Sequence, residues 1–123
     1  MKNNIKKYDI WFVSLDPTKW SEQAWTRPCL VIQSNLLKNF TKTFIVLPIT
    51  SKEKRNVPIV VKLKNYKKYW LTKESTVLSF QIRTADKSRF IKKIWSLSWE
   101  TELIKKIRQS LILSLDIDDE FEE

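Results

Sequence analysis

The chain reads as a mainly β domain with one C-terminal helix, an α+β fold. Short strands curl into a small barrel and the helix covers it. Three observations predict this. Short runs rich in Val, Ile, Thr, Phe and Trp are separated by turn residues and charge clusters. A single segment, near the C-terminus, carries apolar residues at helical spacing. No repeat or low-complexity linker divides the 123 residues, and that length fits one domain with a core of its own.

The elements follow in order. Ile10 to Leu15 is β-branched and aromatic and predicts a strand, ended by Asp16-Pro17. A polar loop runs to Thr26. Arg27 to Gln33 is a second strand with a near-continuous apolar run, and Asn35 to Asn39 a short helical turn. Thr43 to Ile49 is the third strand, closed by Pro48-Ile49-Thr50. Ser51 to Asn56 is a charged loop. Pro58 to Leu63 alternates as a fourth strand, and residues 64–74 form a basic connection. Ser75 to Phe80 and Arg89 to Ile94 predict two further strands flanking Gln81 to Ser88. Ser98 is placed to cap the helix, with Glu100 and Glu102 in its electropositive first turn. Leu103, Ile104, Ile107, Leu111 and Leu115 fall on one face, which would cover a sheet.

Composition sets further bounds. The single cysteine, Cys29, sits in an apolar run, so no disulfide framework exists and a reducing compartment is expected. There is no histidine to activate that thiol, which reads as an inert core residue. The basic segment Met1 to Lys7 is not followed by an apolar stretch of signal-peptide length, so a cytoplasmic location without membrane association is expected. The net charge of +9 is asymmetric. Asp116 to Glu123 holds six of the 14 acids, leaving residues 1–115 at +15. A body that basic suits a polyanion, most simply nucleic acid, although lysine enrichment of a solvated surface gives the same excess. Residues 1–115 are read as one domain and 116–123 as an acidic, disordered tail.

There is no glycine, where about nine are expected at ordinary usage. There are six tryptophans. Trp20 and Trp25 bracket Ser21-Glu22-Gln23-Ala24, Trp70 follows a soluble run, and Trp95 and Trp99 lie among serines. These are turn contexts, where small residues prevail for steric reasons.

Several separated segments resemble the MazF/PemK family of toxin–antitoxin ribonucleases. They are Asp9-Ile10-Trp11-Phe12-Val13-Ser14-Leu15-Asp16-Pro17, Ser21-Glu22-Gln23, Arg27-Pro28, Pro48-Ile49-Thr50-Ser51 and the stretch Gln81 to Arg89. Their order is the family's, and the resemblance spans roughly residues 8–115. It implies an SH3-like β-barrel, a homodimer with RNA grooves at its interface, and a cognate antitoxin as partner. The family pattern has glycine at Trp20, Trp25 and Trp95, commonly at Trp70, with Trp99 a further case. UGA codons meant as glycine but translated as tryptophan would produce this. Lineage-specific bulky substitutions, or a stacking platform for single-stranded bases, are the other readings.

Without histidine, and without a Cys/His cluster or dense carboxylate cage, no metal or other cofactor is expected. RNA cleavage would then use the substrate's own 2′-hydroxyl. The protein would stabilise charge on the phosphate, a task that suits a guanidinium. The resemblance carries catalytic roles onto Arg27, at a loop–strand junction, and Thr50, at a strand end. Glu22 would assist proton transfer. The alternatives are a surface ion pair for Arg27 and a local backbone hydrogen bond for Thr50. By the same resemblance the loops at Asp16 to Gln23, Ser51 to Asn56 and Gln81 to Lys87 line the groove. Gln23, Gln81 and Asp86 would read base edges. Lys52, Lys54, Arg55, Arg83 and Lys87 would hold phosphates, or be solvated loop charge. Asp16, Ser21, Ser51 and Thr84 complete the RNA-contacting set. A CcdB-type gyrase poison on the same fold is the alternative function, and a catalytically inactive RNA-binding module is the third. The tail alternates acids with Ile117 and Phe121, resembling an antitoxin segment. It would either fold over a basic groove and damp activity or remain a solubilising extension.

Overall fold

A computed structural model describes residues 4–15, 26–51, 57 and 59–117. The chain runs β1 (Asp9–Ser14), β2 (Thr26–Val31), β3 (Thr43–Thr50), β4 (Val61–Leu63), β5 (Ser75–Val77), β6 (Arg83–Asp86), β7 (Phe90–Ser96) and α1 (Thr101–Leu115). Short 3-10 helices occupy Asn35–Leu37, Tyr66–Tyr69 and Lys87–Arg89. All recorded strand pairs are antiparallel, in the order β4-β5-β3-β2-β1-β7, with β6 added along the first half of β3. The expected mainly β fold with one helix is present. The expected barrel is a curl rather than a closed cylinder, since β4 and β7 end the sheet without pairing to each other.

Both faces of the sheet are buried, which is why β2 and β3 are near-continuous apolar runs rather than alternating ones. Side chains still alternate between two clusters. Ile10, Leu30, Leu47, Ile49 and Val77 pack with Ile107 of α1 on one face. Trp11, Val13, Cys29, Val31, Phe44, Val46, Ala85 and Phe90 form the second cluster on the other. Phe90 anchors this second core, with edge-on contacts to Trp11 at 5.7 Å and Phe44 at 5.5 Å.

The helix docks through fully buried Ile107, flanked by half-buried Leu103, Ile104 and Leu111. Leu115 is half exposed and belongs to the rim. Ser110 is held by two hydrogen bonds, its hydroxyl donating to the Ile107 carbonyl and pairing with Ser79. Ser98 is not the cap. The helix begins after Glu100, and Ser98 is instead engaged with the Ser96 hydroxyl. Three further expectations are corrected. The fourth strand is only Val61–Leu63, the fifth ends at Val77, and Arg83–Asp86 is a strand where a connection was expected. No helix among the described residues is long and apolar enough to cross a membrane.

Candidate active site

The site residues stand at the start of β2, the end of β3 and the start of β6. Arg27 stands second in β2, opposite Val13 of β1. The β2–β3 ladder pairs Val31 with Val46, Leu30 with Leu47 and Cys29 with Pro48, and it stops there. Pro28 fits the stop, since it has no N–H to donate toward β3; the Pro48 backbone faces the other way, its carbonyl accepting from the Leu78 N–H. The register carried two residues further brings Arg27 level with Thr50. Both residues thus stand at the ends of neighbouring strands, beyond the last recorded pair.

Alternation fixes which way these residues point. Arg27 shares the phase of Cys29 and Val31, and Thr50 that of Phe44 and Val46, all in the second core cluster. Arg83 is in phase with Ala85 of that same cluster. Arg27, Thr50 and Arg83 therefore rise on one face of the sheet. Thr50 is buried and Arg27 half-buried, so the scaffold grips both. The Arg83 guanidinium Nη2 donates to the Leu15 carbonyl at 3.3 Å, tying β6 to the end of β1.

Cys29 reports the convergence. Both Arg83 and Arg27 act on its thiol to lower the pKa, which requires both cations nearby. Burial outweighs them and pushes the thiol up to about 12. Cys29 is thus a neutral core side chain, not a nucleophile.

A cleft of about 270 Å³ adjoins this face, lined by Ser14, Leu15, Arg83, Thr84, Asp86 and Arg89 among others. Arg89 was not singled out in the sequence. The signal that could have found it is the return of the chain from β6 into β7 after a three-residue turn, which folds Arg89 back beside Arg83.

The remaining expected residues are placed less uniformly. Gln81 is exposed in the link between β5 and β6, its backbone N–H donating to the Leu78 carbonyl. Ser51 is exposed just beyond Thr50. Thr84 and Asp86 alternate with Arg83 along β6 and line the same cleft. Asp86 pairs with Thr43, seven residues from Thr50 and so about 23 Å along the strand. Its carboxylate accepts from the Ser88 backbone N–H at 2.8 Å, capping the following turn. That bond holds the Asp86 pKa below the ordinary carboxylate value. Lys87 lies in the same turn, its N–H donating to the Lys42 carbonyl. Asp16, Ser21, Glu22, Gln23, Lys52, Lys54 and Arg55 lie outside the described residues. The described residues contain no cluster of His, Cys, Asp and Glu able to hold a metal ion.

Residues 6–115 match the family model described as PemK-like, MazF-like toxin of type II toxin–antitoxin system. The chain belongs to this family. It is 37% identical over 116 residues to endoribonuclease EndoA of Bacillus subtilis, covering 94% of this chain and 97% of that protein. Solved structures of the same fold include an endoribonuclease in complex with its cognate antitoxin from Mycobacterial species, at TM-score 0.72 and 15% identity, covering 93% of this chain and 97% of that one. Another is MazF of Deinococcus radiodurans, at TM-score 0.71 and 21% identity, covering 92% and 97%. The family assignment made from separated motifs is thereby borne out, and it extends over nearly the whole described fold.

Proposed function

We propose that this protein is the toxin of a type II toxin–antitoxin pair, an endoribonuclease that cuts single-stranded RNA at short specific sequences. The observation that carries the reading is the β2–β3 register, which extended by two residues sets Arg27 level with Thr50, with Arg83 in phase on the same face. A preorganised guanidinium at a rigid strand end suits the charge that develops on phosphate during cleavage. Thr50 supplies a hydroxyl donor to a phosphate oxygen there. The likeness to EndoA over almost the whole of both chains supports the same activity.

The reaction needs no group beyond RNA and protein. The 2′-oxygen of the nucleotide before the cut attacks the adjacent phosphorus, and the P–O5′ bond breaks. A proton leaves the 2′-hydroxyl and another reaches the departing 5′-oxygen. The products are a 2′,3′-cyclic phosphate and a 5′-hydroxyl. Arg27 and Thr50 hold the phosphate oxygens through the step, and Glu22 is proposed to relay a proton. Arg83 and the cleft beside it hold the flanking backbone, and loop residues read bases turned out of a helix. The protein acts in the cytoplasm, as a homodimer, and is restrained by an antitoxin, in keeping with the antitoxin complex among its structural relatives.

The test is incubation with a long single-stranded RNA in EDTA. Cuts at a short recurring sequence, leaving a cyclic phosphate and blocked by 2′-deoxy substitution at the scissile nucleotide, support the reading. Fragments bearing a 5′-phosphate, or cleavage lost in EDTA, contradict it. Gyrase inhibition without RNA cleavage returns the CcdB-type alternative.

A further inference from the structure

Four of the six tryptophans fall in described residues, and they divide sharply. Trp11 is 2% exposed and packs edge-on against Phe90 in the core. Trp99 is 90% exposed in the turn before α1, and Trp70 is 72% exposed. Exposure alone is no anomaly for one indole, but the backbone at Trp70 is. Its φ of 60° and ψ of 29° put it in the left-handed region. It ends the 3-10 helix Tyr66–Tyr69, its N–H donating to the Lys67 carbonyl at 3.2 Å while Leu71 N–H donates to the Tyr66 carbonyl at 3.0 Å. That pair of bonds defines a helix stop whose left-handed residue is most often glycine, because a Cβ clashes there.

The chain handles its other left-handed positions differently. Asp116, at φ 52°, ends α1 with the same pattern of bonds, and Asp tolerates this conformation. Tyr8, at φ 73°, is pinned on both sides, its N–H donating to Val31 and its carbonyl accepting from Leu97. Trp70 has neither a tolerant side chain nor a buried one. Its ring instead stacks on Trp95, centroids 6.3 Å apart and 24° from parallel. Trp95 faces Ile10 where the β1–β7 register shifts, half-buried against the first core cluster.

We infer that residue 70 is glycine in the protein made by its own host, encoded by UGA, and that Trp95 and Trp99 arise in the same way. Some genomes read UGA as glycine, and a table that reads it as tryptophan turns every such site into an indole. This accounts at once for the absence of glycine in 123 residues and for five of the six tryptophans. Trp11 is a true tryptophan, encoded by UGG. Trp20 and Trp25, in their polar loop, fall under the same reading of the sequence.

The gene decides first. UGA at codons 70, 95 and 99 with UGG at codon 11 is the expected result, and UGG at codon 70 overturns the inference. The protein from its native host decides independently: its tryptic peptide Tyr69–Lys73 is expected to carry the mass of glycine in place of Trp70. An indole mass there overturns it. The backbone argument has its own readout in the purified protein. Trp70→Gly is expected to melt above Trp70→Ala by about 4–8 °C, because only glycine removes the Cβ from the left-handed site while both lose the stack. Equal melting, or a less stable Gly variant, removes the structural basis of the proposal.

Discussion

Phe90 is where core packing and the candidate site meet, so its truncation tests the architecture directly. The ring is fully buried at the start of β7, next to Arg89 of the cleft. It makes two edge-on aromatic contacts, to Trp11 at 5.7 Å and 74° and to Phe44 at 5.5 Å and 67°. Phe90→Ala removes the ring and leaves a cavity, at a cost of about 3–5 kcal/mol. Phe90→Leu keeps most of the apolar volume but forfeits both pairs, each worth about 0.5–1.5 kcal/mol, for a loss of about 1–3 kcal/mol. Against a total stability of roughly 5–15 kcal/mol the alanine variant is close to unfolding. Urea titration reads both. With a slope of about 2 kcal/mol per molar, the midpoint should fall by roughly 2 M for alanine and roughly 1 M for leucine. A shift under about 0.3 M for Phe90→Ala refutes the reasoning, because a ring that costs so little to remove is not the anchor of this core.

Other consequences are as specific. Cys29, buried and with its thiol raised to about 12, should resist a thiol reagent at pH 8 in the folded protein and react on unfolding in urea. Prompt labelling of the folded protein would show an open site. Asp86 is exposed and its folded pKa lies below the unfolded value, mainly through the Ser88 N–H. Its contribution is therefore present above the unfolded value near 3.8 and is lost as pH falls through the folded pKa. An NMR titration should find the Asp86 carboxyl protonating below pH 3.8, and Asp86→Asn should raise amide exchange at Ser88; an unshifted carboxyl contradicts the turn geometry. Deletion of residues 118–123 removes five acids and should raise RNA affinity at low salt. Unchanged affinity would leave the tail a solubilising extension.

Much of the fold was legible because apolar content is concentrated where both faces of a strand are buried. Ile10 to Leu15 and Arg27 to Gln33 announced β1 and β2, and the period of Leu103, Ile107 and Leu111 announced α1. β6 escaped because Arg-Thr-Ala-Asp offers one buried side chain, Ala85, and three exposed ones. Its pairing to β3 comes from tertiary context, which propensity does not carry. Ser98 was a sound capping residue by type, yet Ser96 competes for it two residues away. The curled sheet was legible as a class, whereas the open edge between β4 and β7 was not, since edge pairing has no local signature. At the site, the residue types at 27 and 50 were legible from their motifs. That the strands set them level was not, since this needs the β2–β3 register, which is a tertiary property. Asp86, expected to read bases, also caps its own turn through the Ser88 N–H, a role no spacing in the sequence announced.

The central claim is that Arg27 stabilises the phosphate during cleavage rather than simply holding RNA. The most direct measurement is the single-turnover cleavage rate of a short single-stranded RNA containing the recognised sequence, with RNA affinity measured alongside, for the protein and its Arg27→Ala variant. The account predicts a rate reduced about 10²–10³-fold with affinity weakened less than about tenfold, the scale of a single lost phosphate contact. An unchanged rate at saturating protein, with affinity alone reduced, would contradict it and leave Arg27 a binding residue.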